Sequence, residues 1–112
     1  MSSLNKLSSW KEIGNHSNKI SEKSLNEIFK KDKDRFNKFS IQEKELLLDF
    51  SKNHLDDKMM KLFSQLLVDI DLKGKIDDLF NGEKINTSEN RSVLHFLLRG
   101  SFTSKTKDLY DN

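Results

Sequence analysis

The stretch Leu46-Leu47-Leu48-Asp49-Phe50 limits the folds open to this chain more than any other part of it. It is a short apolar run between charged flanks, the pattern of a strand covered on both faces, with a buried helical turn as the alternative. A strand needs hydrogen-bond partners along its edges, because its N–H and C=O groups cannot be buried unpaired. Nothing else in the sequence reads as a confident second strand. The run therefore asks for something the rest of the chain does not visibly supply.

What surrounds it reads as helix. Leu4, Leu7, Trp10 and Ile13 recur at intervals of three, predicting one face of a first helix that ends near Gly14 to Asn18. Ser24 can cap a second helix with Leu25, Ile28 and Phe29 as its apolar face, and Asp32 to Phe39 repeats the pattern with Phe36 and Phe39 as expected core anchors. The densest basic run, Lys30-Lys31-Asp32-Lys33-Asp34-Arg35, is offset by its own aspartates and reads as a solvated helix end.

After the apolar run, Asp56 is placed to cap a helix, and Asp57 lies at its positive end. Met59, Met60, Phe63, Leu66, Leu67 and Ile70 then form a pronounced helical stripe. Leu72, Ile76, Leu79 and Phe80 continue at helical spacing, with Asn81-Gly82 as a left-handed C-cap. Beyond a polar loop, Ser88 can cap a last helix carrying Val93, Leu94, Leu97 and Leu98, closed by Gly100, and Ser101 to Asn112 reads as a weakly structured tail.

With 112 residues, the expectation is a single domain, and no linker or internal repeat divides it. The predicted class is mainly α with one short strand. Several amphipathic helices face inward with little to cover, so the chain reads as a peripheral layer of something larger.

The chemistry is thin. No cysteine is present, which excludes disulfides, thiolate catalysis and cysteine-type zinc sites. Twenty basic and eighteen acidic side chains are interspersed, unlike the one-sided basic face of a nucleic-acid binder, so no nucleic-acid partner is expected. The N-terminus lacks the apolar core of a secretory signal, and no run approaches the roughly 20 apolar residues that span a bilayer. A cytoplasmic location without a membrane partner is the expectation.

His16, His54 and His95 share no metal-ligand spacing. The first two read as surface histidines. On the predicted last helix, Arg91 lies one turn before His95, so both would share a face able to meet an anionic group. They are the candidate substrate-binding residues, although a structural histidine at a core edge is the plainer reading of His95. Glu83 and Lys84 offer a base and a cation, but adjacency in a loop carries little signal. There is no Gly-rich phosphate loop, nucleophile elbow or spaced carboxylate pair.

Three ordered strings resemble one family. Asp34-Arg35-Phe36 with Phe39-Ser40 is similar to D-R-F-x-x-F-S, and Leu48-Asp49-Phe50-Ser51-Lys52-Asn53 to L-x-D-Y-S-K-N. Phe80-Asn81-Gly82-Glu83-Lys84-Ile85-Asn86, then Glu89, Arg91, Val93-Leu94-His95 and Leu98-Arg99, is similar to F-x-G-E-K-I-N followed by T-E-G-R-A-V-L-H and A-L-R. These are patterns of the N-terminal part of glucose-6-phosphate isomerases, and the resemblance runs from about Trp10 to Arg99. Asn90 stands where glycine is usual, Ser92 where alanine is usual, and Leu97 where alanine is usual. Asparagine tolerates unusual backbone angles better than most residues.

The resemblance implies the helical N-terminal portion of a larger α/β sugar isomerase fold with parallel sheets. It further implies a homodimeric enzyme, free of metal or organic cofactor, that interconverts glucose 6-phosphate and fructose 6-phosphate in glycolysis and gluconeogenesis. In that family a glutamate moves the proton, a histidine and a lysine assist ring opening, and Ser/Thr-rich backbone holds the phosphate. Those elements lie downstream of the matched strings, so no catalytic residue is expected in this chain. The 112 residues are expected to be a fragment, inactive alone. A non-enzymatic helical interaction module is the alternative.

Overall fold

The computed structural model describes residues 3–100, which fall into two compact units, one up to Leu66 and one from Leu67. The predicted tail, residues 101–112, lies outside the described residues.

In the first unit a short 3-10 turn, Leu4–Lys6, leads into helix α1, Ser8–Ser21. The helix runs past the end predicted near Gly14 to Asn18. Gly14 has open space where a Cβ would stand, so nothing there breaks the helix, and one interior glycine costs only about 1 kcal/mol. The predicted apolar face is also corrected. At 3.6 residues per turn, each step of three falls about 60° short, so Leu4, Leu7, Trp10 and Ile13 spiral around the axis. Leu4 and Trp10 are exposed. The inward line is Ser9, Ile13, His16 and Ile20, with Ser9 and Ile20 buried.

Helix α2, Leu25–Lys31, starts as expected at Ser24. The Ser24 hydroxyl accepts from the Glu27 amide, and the Glu27 carboxylate accepts from the Ser24 amide, a reciprocal capping box. Ile28 packs with Ile20 and Met59 to form the core of this unit, with Ile13, Leu25 and Leu55 against it. The next helix, α3, is a single turn, Arg35–Lys38. Of its two expected anchors Phe39 is buried and Phe36 is exposed. Arg35 is buried as well, the one departure from the reading of its run as a solvated helix end, which the exposed Lys30, Lys31, Lys33 and Asp34 fit.

The apolar run is a strand, β2, Leu46–Asp49, but not a lone one and not covered. It pairs antiparallel with β1, Ser40–Glu43, in the register Ser40 to Asp49 and Glu43 to Leu46. Lys44 begins the connecting turn in the left-handed region, at φ 53°. The expectation of one strand failed because β1 has a polar, unremarkable sequence and is specified by its partner, not by its own composition. Every residue of β2 is exposed.

Helix α4, Asp57–Asp69, begins where Asp56 was expected to cap it: Asp56 Oδ1 accepts from the Met59 amide at 2.8 Å. Met59 is buried, while Met60, Phe63 and Leu67 of the predicted stripe remain exposed. The boundary between the units falls inside this helix.

In the second unit, helix α5, Leu72–Phe80, is capped by Asp71, whose carboxylate accepts from the Gly74 amide at 3.2 Å. A Cβ at residue 74 would collide with that carboxylate, so glycine makes room for the cap. The C-terminus ends as expected at Asn81-Gly82. Gly82, at φ 77°, donates to Leu79 C=O at 3.2 Å, and Glu83 donates to Asp78 C=O at 3.0 Å. These are the two bonds of a Schellman cap.

The predicted last helix from Ser88 is absent. Asn86 and Arg91 instead form a backbone bridge, with bonds of 3.1 and 3.2 Å, around the turn Thr87–Asn90. The Asn86 carboxamide takes the Glu89 amide at 3.3 Å, and Asn90 adopts φ 52°. Side-chain bonds of this kind compete with helix formation, and a left-handed residue stops it. Asn90 thus supplies the backbone angle expected of a glycine replacement. Ser92 donates its hydroxyl to Gly82 C=O, tying the loop to the helix cap. A 3-10 turn, His95–Leu98, follows, with Leu97 buried and Phe96 edge-on to Phe80 at 4.8 Å between ring centres.

Candidate functional site

The residues expected to contact an anion do not share a helix face. Arg91 closes the bridge to Asn86, and His95 opens the following 3-10 turn, so the one-turn spacing that was to align them does not exist. Both are exposed. Neither side chain makes a hydrogen bond or ion pair among the described residues. Glu83 and Lys84 are exposed just past the α5 cap, and the Glu83 amide serves the cap itself. The described residues hold no group of three or more His, Asp or Glu placed to bind a metal.

Two polar clusters do form, both in the first unit. In one, Arg35 is 1% exposed. Its Nε donates to Ser51 C=O, Nη1 to Leu55 C=O and Nη2 to Asn53 C=O, each at 2.6 Å. The guanidinium lies 4.6 Å from the centre of the Phe39 ring and 5.7 Å from that of Phe29. Phe39 in turn meets Phe50 edge-on at 6.0 Å. This fork fixes the loop between β2 and α4 onto α3. The planar fork of arginine serves the three carbonyls from three separate nitrogens at once. Ser51 is buried beside it and bonds Asp49 through both its amide and hydroxyl, which holds the Asp49 carboxyl below its ordinary range.

In the other cluster, His16 Nε2 lies 2.9 and 2.8 Å from the two Asp56 carboxylate oxygens. An ionised carboxylate only accepts, so the ring nitrogen carries the donated proton. The His16 side chain is 13% exposed, which corrects its reading as a surface histidine; His54 is exposed as expected. A signal was present: Ile13, His16 and Ile20 sit at helical spacing, which puts His16 on the inward face. Burial works to raise the Asp56 carboxyl, yet the Met59 amide and His16 outweigh it and hold it low. Nearby, Lys38 bonds Asp32 at 2.8 Å and lies 3.5 Å from Asp57; the Lys38 bond keeps the half-buried Asp32 carboxyl low.

Chemically, both clusters are closed on themselves. Each Arg35 bond goes to a backbone carbonyl, and the oxygens of Asp56 are engaged by His16 and the α4 amide. They are joints, and the one hydroxyl beside Arg35, that of Ser51, is spent on Asp49.

The sequence profile of the family described as Phosphoglucose isomerase matches residues 49–109. A glucose-6-phosphate isomerase of Helicobacter pylori (strain P12) is 41% identical over 109 residues, 97% of this chain and 20% of that protein. One from Helicobacter pylori (strain G27) is 43% identical over 96 residues, 86% of this chain and 18% of that protein. One from Gloeobacter violaceus is 41% identical over 96 residues, again 86% of this chain and 18% of that protein. The chain thus spans about a fifth of the length of the curated relatives it matches. With the profile covering more than half of its residues, the chain belongs to the phosphoglucose isomerase family.

Proposed function

We propose that residues 1–112 are the N-terminal part of a glucose-6-phosphate isomerase, an enzyme that interconverts glucose 6-phosphate and fructose 6-phosphate through ring opening and an enediol. The identity of 41% across 97% of the chain carries this reading. Within that enzyme these residues act as scaffold: the Arg35 fork and the His16–Asp56 pair hold the α1–α4 segment in one geometry. The glutamate, histidine and lysine that act on the sugar, and the phosphate-binding backbone, lie outside residues 1–112. Residues 1–112 by themselves are therefore inactive. The complete enzyme is a cytoplasmic, cofactor-independent homodimer of α/β fold with parallel sheets, working in glycolysis and gluconeogenesis. Arg91 and His95, both exposed and unengaged among the described residues, are the candidates for touching the sugar phosphate. A non-enzymatic interaction module has no specific observation in its favour.

The test is a hybrid in which this chain replaces the matching segment of the Helicobacter pylori (strain P12) relative. The isolated chain should show no isomerase turnover and the hybrid should show it. Turnover by the isolated chain overturns the inactivity, and a folded hybrid without turnover overturns the isomerase reading. In the active hybrid, Arg91→Ala and His95→Ala should raise KM if the residues touch substrate.

A further inference from the structure

Asn81 and Gly82 are adjacent at the end of α5, and that pairing has a chemistry of its own. An asparagine carboxamide can be attacked at its carbon, Cγ, by the backbone nitrogen of the next residue. Asparagine is thermolabile for this reason, and a following glycine, without a Cβ, leaves the approach open. Asn81 is exposed, so water reaches its carboxamide. The cap itself calls for the pairing, because residue 82 is held at φ 77° and so favours glycine.

The same cap restrains the reaction. The attacking nitrogen must lose its proton, and that proton is donated to Leu79 C=O at 3.2 Å. Asn81 is fixed at φ −85° and ψ −5°, with its own amide on Asp77 C=O at 2.9 Å. Attack therefore needs the end of α5 to open. The product, in turn, works against closing. Asp77 lies one turn before Asn81, Asp78 and Glu83 are close in sequence, and no basic residue occupies the last turn of α5. A new carboxylate at position 81 meets the negative end of the helix and a like charge at i, i+4.

We propose that Asn81 is a deamidation site guarded by the α5 cap, where a transient opening of the cap is converted into a permanent one. In the first step Gly82 N bonds to Asn81 Cγ, the Cγ–Nδ2 bond breaks, and ammonia leaves with the proton lost from Gly82 N. Water then opens the resulting succinimide. Hydrolysis at the side-chain carbonyl gives aspartate; hydrolysis at the main-chain carbonyl gives isoaspartate, whose backbone is one methylene longer. Isoaspartate displaces the Gly82 and Glu83 N–H groups from their acceptors on Leu79 and Asp78. It also shifts Gly82 C=O away from the Ser92 hydroxyl that ties in the following loop. All of these groups belong to the second unit, and none of the chemistry depends on the isomerase reading.

Peptide mass spectrometry of the 112-residue chain, aged at neutral pH in buffer and in urea, tests it beside hydrogen exchange at Gly82 and Glu83. In urea Asn81 should gain the mass of amide-to-acid conversion, with isoaspartate the major product. In buffer the gain should be about tenfold or more slower. Asn81→Gln, which must close a larger ring, should remove the gain. After conversion, the Gly82 and Glu83 amides should exchange about tenfold or more faster than in the unconverted chain. Asn81→Asp, which adds only the charge, should speed them by less. No conversion in urea removes the site. Equal rates in buffer and urea overturn the guarding role of the cap, and unchanged exchange after conversion overturns the permanent opening.

Discussion

Arg35 carries its charge in a nearly closed site where three carbonyls and two ring faces surround it. Removing the guanidinium strands Ser51, Asn53 and Leu55 C=O together. Arg35→Met should therefore cost about 3 kcal/mol or more in urea unfolding of the isolated chain. Arg35→Lys keeps the charge but cannot span three acceptors, and should still lose more than about 1 kcal/mol; a lysine variant as stable as the parent would show that charge alone suffices. Asp56 gives a pH prediction. Its carboxyl is held low against the effect of burial, by the Met59 amide and His16. A group depressed in the folded state contributes stability above its unfolded value and loses it as pH falls through the folded one. The urea midpoint should fall between neutral pH and about pH 3. Asp56→Asn retains an oxygen for the α4 cap and should flatten part of that fall, Asp32 and Asp49 supplying the rest. An unchanged acid limb in the variant would remove Asp56 from the account.

At the scale of elements, the termini of the helices are the most strictly specified features. The Gly82 cap requires φ 77°, so Gly82→Ala should destabilise the second unit by about 1–2 kcal/mol. Exchange of the α5 amides measures it, and unchanged protection would count against the cap. Such ends were legible in the sequence because capping is local: Ser24, Asp56 and Asn81-Gly82 each act within a few residues of themselves. What depended on distant partners was not. β1 is a strand only because β2 lies beside it, and the helix expected from Ser88 yields to the Asn86–Arg91 bridge. Arg35 was hidden for the same reason, since a charge in a mixed-sign run gives no sign that carbonyls 16 to 20 residues on will collect around it. The shared helix face assumed for Arg91 and His95 fell with that helix.

Across the whole molecule, the apolar residues buried among those described are few: Ile20, Ile28, Phe39 and Met59 in the first unit and Leu97 in the second. The exposed ones include Leu46, Leu47, Leu48, Phe63, Val68 and Phe80. The isolated chain should accordingly bind a hydrophobic dye such as ANS while keeping helical circular dichroism, and melt over a broad range. A sharp two-state melt with no dye bound would mean that the exposed leucines are covered in solution. The Arg35 fork also bears on timing. Its three acceptors lie 16, 18 and 20 residues along the chain, and even the His16–Asp56 bond spans only 40. Loops this short close quickly, and domains take shape as they are synthesised. The first unit can thus lock its geometry during synthesis, while the residues of the second unit are still being added.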